Sequence, residues 1–235
     1  MLTCDQLVLK QGTFRLEADL RFQPSKVTAV MGPSGAGKST LLSAVAGFVT
    51  PSSGGVSHNG TDLTNLPPGK RPMSVLFQAN NLFPHLTVRE NVGLGLRQNR
   101  KLTDVEQQSV TEVLARTGIG ADLAERKPAQ LSGGQQSRVA LARLLISELP
   151  IALLDEPFSA LGPALKNEML DLMRTVVLAK DSATVLMVTH DPIDARRTAD
   201  EVVWVDAGVA HPPRATTELF ADPPDGLRNY LGEMG

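Results

Sequence analysis

The chain has few cysteines and no marked excess of either charge. Among its 235 residues there is one cysteine, Cys4, which excludes an intramolecular disulfide framework and a zinc site built from several cysteines. Lys and Arg number 23 and Asp and Glu number 25, for a formal net charge of −2. Because the chain lacks an overall basic field, we expect no nucleic acid among its partners.

Long hydrophobic runs are also missing. The longest strongly apolar stretch, residues 41–49, is well short of the roughly 20 residues that cross a bilayer as a helix. The first residues lack the basic start and apolar core of a signal peptide. We therefore expect membrane involvement only through another chain. The single cysteine makes a reducing cytoplasm the simplest compartment.

Apolar runs predict the core of the fold. With 42% hydrophobic residues the chain can bury a sizeable core, and residues 27–31, 151–154 and 184–188 form short apolar runs typical of buried parallel strands. Helical patterns at 39–49 and 139–148 lie between these runs. Strands that alternate with helices predict an α/β fold.

The remaining stretches are expected to differ from this core. Residues 87–96 and 104–117 have helical patterns, so the region of approximately 84–148 is predicted to be a helical insertion. The Pro- and Gly-rich segments 51–60 and 67–72 are predicted to be loops. From Ala207 onward the chain is again rich in Pro and Gly, and an irregular tail is expected.

Residues 32–39 match the phosphate-loop pattern G-x-x-x-x-G-K-[ST], between an apolar strand and an apolar helix. Glycines let backbone N–H groups converge on an anion, and the helix N-terminus adds partial positive charge. Lys38 can neutralise β- and γ-phosphate oxygens, and the Ser39 hydroxyl can bind magnesium. The candidate phosphate-binding residues are Gly32, Pro33, Ser34, Gly35, Ala36, Gly37, Lys38 and Ser39, followed by Thr40.

Two carboxylates, Asp155 and Glu156, end the apolar run at 151–154. Successive strand residues point in opposite directions, so the two groups can take different roles at the carboxyl edge of the sheet. Asp155 is expected in the magnesium shell, through water, and Glu156 beside the γ-phosphate, where it orients or deprotonates the attacking water. Alone, such a pair is as often a solvated strand end.

A second glycine-containing turn, Leu131-Ser132-Gly133-Gly134-Gln135, precedes the helical pattern at 139–148. Ser132 and the glycines can open a helix and present free N–H groups to a phosphate. By itself this turn is an ordinary helix cap.

Taken in order, GPSGAGKST, LFQ, LSGGQ, ALLDEP and VTHD resemble the ATP-binding subunits of ABC transporters. The resemblance implies one ABC ATP-binding domain over residues 1–235: a P-loop NTPase (RecA-like) core with a parallel sheet, an inserted α-helical subdomain and an N-terminal antiparallel β part. It implies ATP and Mg²⁺ as cofactors and ATP hydrolysis as the activity.

The same resemblance assigns further roles. Two chains are expected to form a head-to-tail homodimer, with each ATP between Lys38 of one chain and the Ser132 turn, including Gln135, of the other. Gln78 corresponds to a glutamine that binds magnesium or water and links to the membrane partner. His190 corresponds to a histidine that contacts the γ-phosphate and holds the attacking water with Glu156.

Partners and cargo also follow from the resemblance. A transmembrane permease is expected as direct partner and a periplasmic substrate-binding protein as indirect partner, with the chain peripheral on the cytoplasmic face of the inner membrane. Residues 71–96 look most like those of bacterial thiamine importers, which implies thiamine or its phosphates as cargo. Iron or polyamine import, and a nucleotide-gated protein with weak hydrolysis, are the alternatives. Leu82, Phe83 and Leu86 either contact the permease or pack inside the helical region.

Two departures from the family pattern bear on the mechanism. The family usually has Asp after Ser-Ala-Leu, where this chain has Gly162, so we expect ATP binding with weaker or less cooperative hydrolysis. The family also stacks an aromatic residue on adenine near the start of the chain. Gln11 or Phe14 occupies that neighbourhood, and Phe14 is equally suited to a strand core.

Overall fold

We describe the protein from a computed structural model, in which residues 1–77, 82–96, 101–159, 161–178 and 183–232 are described. Within these ranges the chain forms one sheet of eleven strands, flanked by helices. The strands are β1 Leu2–Gln11, β2 Phe14–Phe22, β3 Lys26–Met31, β4 Ser53–His58, β5 Thr61–Asp62, β6 Met73–Leu76, β7 Ile151–Asp155, β8 Thr184–Val188, β9 Glu201–Asp206, β10 Val209–Ala210 and β11 Arg214–Ala215.

Eight α-helices lie in the same ranges. They are α1 Lys38–Ala46, α2 Val88–Gly93, α3 Asp104–Arg116, α4 Gly133–Ile146, α5 Pro163–Leu178, α6 Pro192–Thr198, α7 Thr216–Ala221 and α8 Asp225–Gly232. Single 3₁₀ turns occur at Pro68–Lys70, Ala121–Leu123 and Pro128–Gln130. None of the helices in these ranges combines the length and the apolar character that a bilayer crossing requires.

The parallel half of the sheet has the order β9-β3-β8-β7-β6. Its strands are apolar because both faces are covered, and every residue of β8 is buried. On β3, Val27, Ala29 and Met31 pack into one hydrophobic cluster, whereas Val30 packs with α1 into the other. The three predicted strands are confirmed, and so is the α/β class.

The antiparallel half consists of β5, β4, β1 and β2. Strand β10 connects the halves, since it pairs parallel to β2 and antiparallel to β9. The prediction of a loop at 51–60 is wrong, because β4 pairs there with β1. Glycine occurs in β4 because the backbone of β1 lies very close to it, and not because the chain turns there. A Cβ on Gly54 would lie 2.2 Å from the Gln6 carbonyl oxygen.

The prediction of an irregular tail after Ala207 is also wrong. This part contains β10, β11, α7 and α8. Leu219 and Leu227 are buried in the cluster that also holds β3 residues. Prolines therefore separate short elements here, and tertiary packing onto β9 stabilises them.

Helices α2, α3 and α4 pack on one another in the middle of the chain through Val92, Val110 and Leu141, all buried. Each begins with a capping box, led by Thr87, Thr103 and Ser132 respectively. The predicted helix at 139–148 begins earlier, at Gly133, because the Ser132 cap compensates for the low helix propensity of the glycines. Assignment of 84–148 as an inserted subdomain stays a prediction.

Candidate active site

The phosphate loop connects β3 to α1 at the carboxyl edge of the parallel sheet. Gly37, which precedes α1, has φ 101°, a conformation that L side chains rarely adopt. The Phe14 ring covers this position, and a Cβ on Gly37 would lie 2.5 Å from Phe14 Cζ. Glycine is thus required both by the backbone and by the aromatic ring above it.

Lys38, the first residue of α1, turns its side chain back into the phosphate loop. Its Nζ donates to the carbonyl oxygens of Gly32 and Pro33, each at 2.8 Å. Burial lowers the pKa of Lys38, while the nearby carboxylates of Glu156 and Asp155 act in the opposite direction. The loop therefore holds a largely desolvated ammonium group beside the acidic pair.

Ser39 and Asp155 face each other across the sheet edge. Ser39 Oγ donates to Asp155 Oδ1 at 3.0 Å. Burial raises the pKa of Asp155, and the hydrogen bond from Ser39 partly opposes that effect. No cluster of three His, Cys, Asp or Glu side chains that could hold a metal occurs within the described ranges. The two groups thus form a small oxygen-donor pair rather than a complete protein cage.

Glu156 has an unusual backbone conformation. Its φ is 46°, in the left-handed region, and its N–H donates to the Val188 carbonyl oxygen at 3.1 Å. A non-glycine residue in this region stores about 1–2 kcal/mol of strain. The bond to β8 holds Glu156 in this position at the strand end.

His190 lies in the connection between β8 and α6, which we call the switch loop (residues 189–191). Its Nδ1 is 3.3 Å from Glu156 Oε2, and its side chain is 57% exposed. Lys166 of α5 bonds Asp191 at 2.7 Å and Asp194 at 2.8 Å, while Asp191 N–H donates to Thr189 Oγ1. A cleft of about 340 Å³ separates the switch loop from the segment after Glu156.

Ser132 marks a separate exposed feature, the tip of α4. Ser132 N–H donates to Gln135 Oε1 at 2.9 Å, and Gln135 N–H donates to Ser132 Oγ at 3.3 Å. Gly133 is exposed, and a Cβ there would meet no atom within 4 Å. The tip is therefore open to a second molecule.

The structure thus brings together the phosphate loop, Asp155, Glu156 and His190, with Phe14 above the loop. Gln78 lies outside the described residues. Gln11 is exposed, whereas Phe14 is half-buried and its ring contacts the loop, which favours Phe14 as the aromatic candidate.

Sequence reasoning missed three residues near the site. Arg71 is buried and donates to carbonyl oxygens at the end of α1, Lys166 holds the switch loop, and Tyr230 donates to the His190 carbonyl oxygen. The contacts that give them these roles, to α1, to Asp191 and to His190, are 25 or more residues away in sequence, so no local pattern marks them. The sequence offers one hint toward these three residues, which is that Tyr230 is the sole tyrosine of the chain.

Comparison with known proteins identifies the family. The family model described as ABC transporter matches residues 16–159. The chain is 54% identical to the Thiamine import ATP-binding protein ThiQ of Ruegeria sp. (strain TM1040) over 232 residues, which cover 99% of this chain and 100% of that one. The protein of the same name from Cereibacter sphaeroides is also 54% identical, with the same coverage.

Solved structures agree with this assignment. A post-hydrolysis dimer of the ATP-binding cassette MJ0796 bound to ADP and Pi superposes with a TM-score of 0.80 at 28% identity, covering 92% of this chain and 99% of that one. Another dimeric structure of MJ0796, a bacterial ABC transporter cassette, has the same TM-score at 29% identity and the same coverage. The chain belongs to the ABC transporter family, as one of its ATPase cassettes.

Proposed function

We propose that the chain hydrolyses ATP at the site described above and that hydrolysis energises uptake of thiamine, or one of its phosphates, through a separate membrane permease. The relatives named for thiamine import support the cargo, at 54% identity over nearly the whole chain. The observation that carries the hydrolytic function is the pairing of Glu156 with His190 beside the phosphate loop.

ATP phosphates would bind in the phosphate loop. The N-terminus of α1 points its free N–H groups at an anion there, and the helix dipole favours negative charge. Lys38 already lies inside the loop, so its ammonium group can exchange the carbonyl oxygens of Gly32 and Pro33 for phosphate oxygens. The Phe14 ring beside Gly37 offers a flat apolar surface for the adenine base.

Mg²⁺ fits the oxygen donors of this edge. Magnesium is commonly held by one or two protein oxygens together with phosphates and water, and Ser39 and Asp155 provide such a pair 3.0 Å apart. We assign Ser39 to direct binding and Asp155 to the water shell, with Gln78 as a further predicted ligand. When bound, the ion neutralises charge that develops on the phosphate oxygens.

Glu156 would orient the attacking water and accept its proton, and His190 would hold Glu156 and contact the γ-phosphate. Their 3.3 Å separation allows the imidazole to steer the carboxylate. The left-handed φ of Glu156 turns the backbone away from the direction of strand β7. Strained backbone conformations of this kind cluster at functional sites.

Two chains would close head to tail on two ATP molecules. The tip, with Ser132 and Gly133 exposed and Gly134 half-buried, has helix N-terminal N–H groups that suit the γ-phosphate held by the partner chain. The dimeric structures of the similar cassette MJ0796 support this assembly.

The permease would be contacted near the start of α2. Phe83 is 46% exposed, which favours a docking role for this residue, whereas Leu82 packs against the hydrophobic core. We propose that Phe83 contacts the permease, that the chain is peripheral on the cytoplasmic face of the inner membrane, and that a periplasmic substrate-binding protein delivers cargo to the permease. Phe83→Ala should uncouple transport and leave ATP binding intact.

The test of hydrolysis is magnesium-dependent phosphate release. Glu156→Gln is expected to lower the turnover number at least a hundredfold, because it removes the base and retains the shape. Such a variant should accumulate as an ATP-bound dimer by size-exclusion chromatography. Glu148→Gln, at an exposed position near the end of α4, is the matched control and should behave as wild type. Full turnover in Glu156→Gln would contradict the proposal.

The test of cargo is uptake by cells that express the chain with its permease and binding protein. Radiolabelled thiamine should accumulate with wild type and not with Glu156→Gln. Uptake of a polyamine or iron instead, with no thiamine uptake, would refute the cargo while leaving the ATPase assignment in place.

A further inference from the structure

Helix α8 packs closely on the end of β9. Leu227 is fully buried in the hydrophobic core. Gly226 lets the helix approach, since a Cβ there would lie 2.2 Å from Asp206 Oδ2 and 3.3 Å from Trp204 Nε1. Helix α8 is therefore packed against β9 through the buried Leu227 and through the approach of Gly226 to the side chains of Asp206 and Trp204.

Tyr230 extends from this helix to the switch loop. Its hydroxyl donates to the His190 carbonyl oxygen, and its ring lies edge-to-face on Trp204 with the centroids 5.5 Å apart and an interplanar angle of 63°. Burial raises the pKa of Tyr230, and the negative charges of Asp191 and Glu156 act in the same direction. The phenol thus remains a hydrogen-bond donor at neutral pH.

The switch loop is held from two sides. Lys166 binds the carboxylate of Asp191, and Tyr230 binds the main chain of His190. The imidazole itself is 57% exposed, and the contact of its Nδ1 with Glu156 is long, at 3.3 Å. The backbone anchor from α8 therefore has a direct influence on where the imidazole lies.

We propose that Tyr230 is a positioning residue for ATP hydrolysis: its hydrogen bond to the His190 carbonyl oxygen holds the imidazole against Glu156. This inference rests on the proposed function, because it requires that His190 acts in the reaction. It assigns the C-terminal helix a part in the catalytic step, through a single hydroxyl group.

The experiment measures steady-state phosphate release by the full-length protein with Tyr230→Phe, which removes the hydroxyl and keeps the ring. The control is Asn229→Ala, at an exposed position of the same helix. Because one hydrogen bond is lost, Tyr230→Phe should lower kcat about three- to tenfold. KM for ATP and the melting temperature should stay close to those of Asn229→Ala.

A double-mutant cycle with His190→Ala tests whether the effect passes through His190. Adding Tyr230→Phe to His190→Ala should cause no further loss of kcat, measured with radiolabelled ATP so that slow rates are resolved. If His190→Ala has no measurable rate, the inference is tested by NMR instead. The ring ¹⁵N chemical shifts of His190 should then differ between wild type and Tyr230→Phe.

Three results would overturn the inference. The first is a wild-type kcat in Tyr230→Phe, and the second is a loss of kcat from Tyr230→Phe that is as large in the His190→Ala background as in wild type. The third, when His190→Ala is too slow to measure, is an unchanged ¹⁵N chemical shift of His190. A failure of the proposed function looks different. In that case the wild type releases no phosphate, or His190→Ala and Glu156→Gln turn over as fast as wild type.

Discussion

Arg71 offers the sharpest test of how the phosphate-loop helix is held in place. Its side chain is buried, at 4% exposure, and its guanidinium donates to four carbonyl oxygens. Two belong to the last turn of α1, where Nη1 reaches Ala44 at 2.9 Å and Val45 at 2.6 Å. The other two are those of Leu66 and Thr64, both at 2.9 Å. Arg71→Met removes all four hydrogen bonds and replaces the side chain with a shorter, uncharged and flexible one.

The expected loss can be worked out from these contacts. Each hydrogen bond from a charged donor contributes about 1.5–3 kcal/mol, but the four are not additive, and removing the buried charge returns part of its desolvation penalty. Burial does lower the pKa of Arg71, which shows that the penalty is present. Removing one partner of a buried charged network typically costs about 3–5 kcal/mol, so we expect that loss in the free energy of unfolding.

The assay is reversible urea denaturation followed by circular dichroism, supported by thermal melts. A loss of about 3–5 kcal/mol corresponds to a melting temperature lower by about 6–20 °C for a chain of this size. Arg71→Lys, which keeps charge but loses the planar fork, should lose less. Arg126→Met is the control, because Arg126 is exposed and forms a long ion pair, with Asp122 at 3.8 Å. An exposed pair of this kind contributes little to stability. A loss below about 1 kcal/mol in Arg71→Met, or one equal to that of Arg126→Met, would refute this reasoning.

The remaining predictions concern three residues: Gly37, Gly162 and Cys4. Gly37→Ala should weaken ATP binding at least tenfold by equilibrium titration, because both φ 101° and the Phe14 ring oppose a Cβ; unchanged affinity would contradict this. Gly162→Asp should raise turnover and cooperativity, because it restores the carboxylate that the family usually has at this position. A Cβ there meets no atom within 4 Å, so the side chain has room; equal rates and equal cooperativity in variant and wild type would contradict this prediction. Burial raises the pKa of the Cys4 thiol from 9.0 to about 12, so a thiol reagent should not label the native protein at pH 8. Because the unfolded thiol ionises first, the stability that Cys4 contributes below pH 9 should be lost as the pH rises towards 12, and Cys4→Val should not show this loss.

The parts of the fold that the sequence predicts well are those with a strong local pattern. Strand β3, the phosphate loop and α1 follow one another as an apolar run, a glycine-rich turn and an apolar helix, and these patterns predict each element close to its observed place. The apolar run at 151–154 likewise predicts the acidic pair at the carboxyl edge of the sheet. Parallel strands end at one edge, so residues after different strands come together there.

The parts that the sequence does not predict depend on distant partners. Strand β4 contains adjacent glycines that read as a turn, and only its pairing with β1 reveals why they are there. The tail reads as irregular because its short elements are stable only on β9. Tyr230 contacts a residue 40 positions away in sequence, so its role follows from the packing of α8 and from no motif.

Strand β3 has a consequence for how this protein reaches its native state on the ribosome. Both hydrogen-bonded neighbours of β3, strands β8 and β9, belong to the last quarter of the chain, whereas the hairpin of β1 and β2 is local. Local pairings close quickly and distant ones slowly. The nascent chain should therefore form its antiparallel hairpin early, and assemble the ATP-handling core only after synthesis is almost complete.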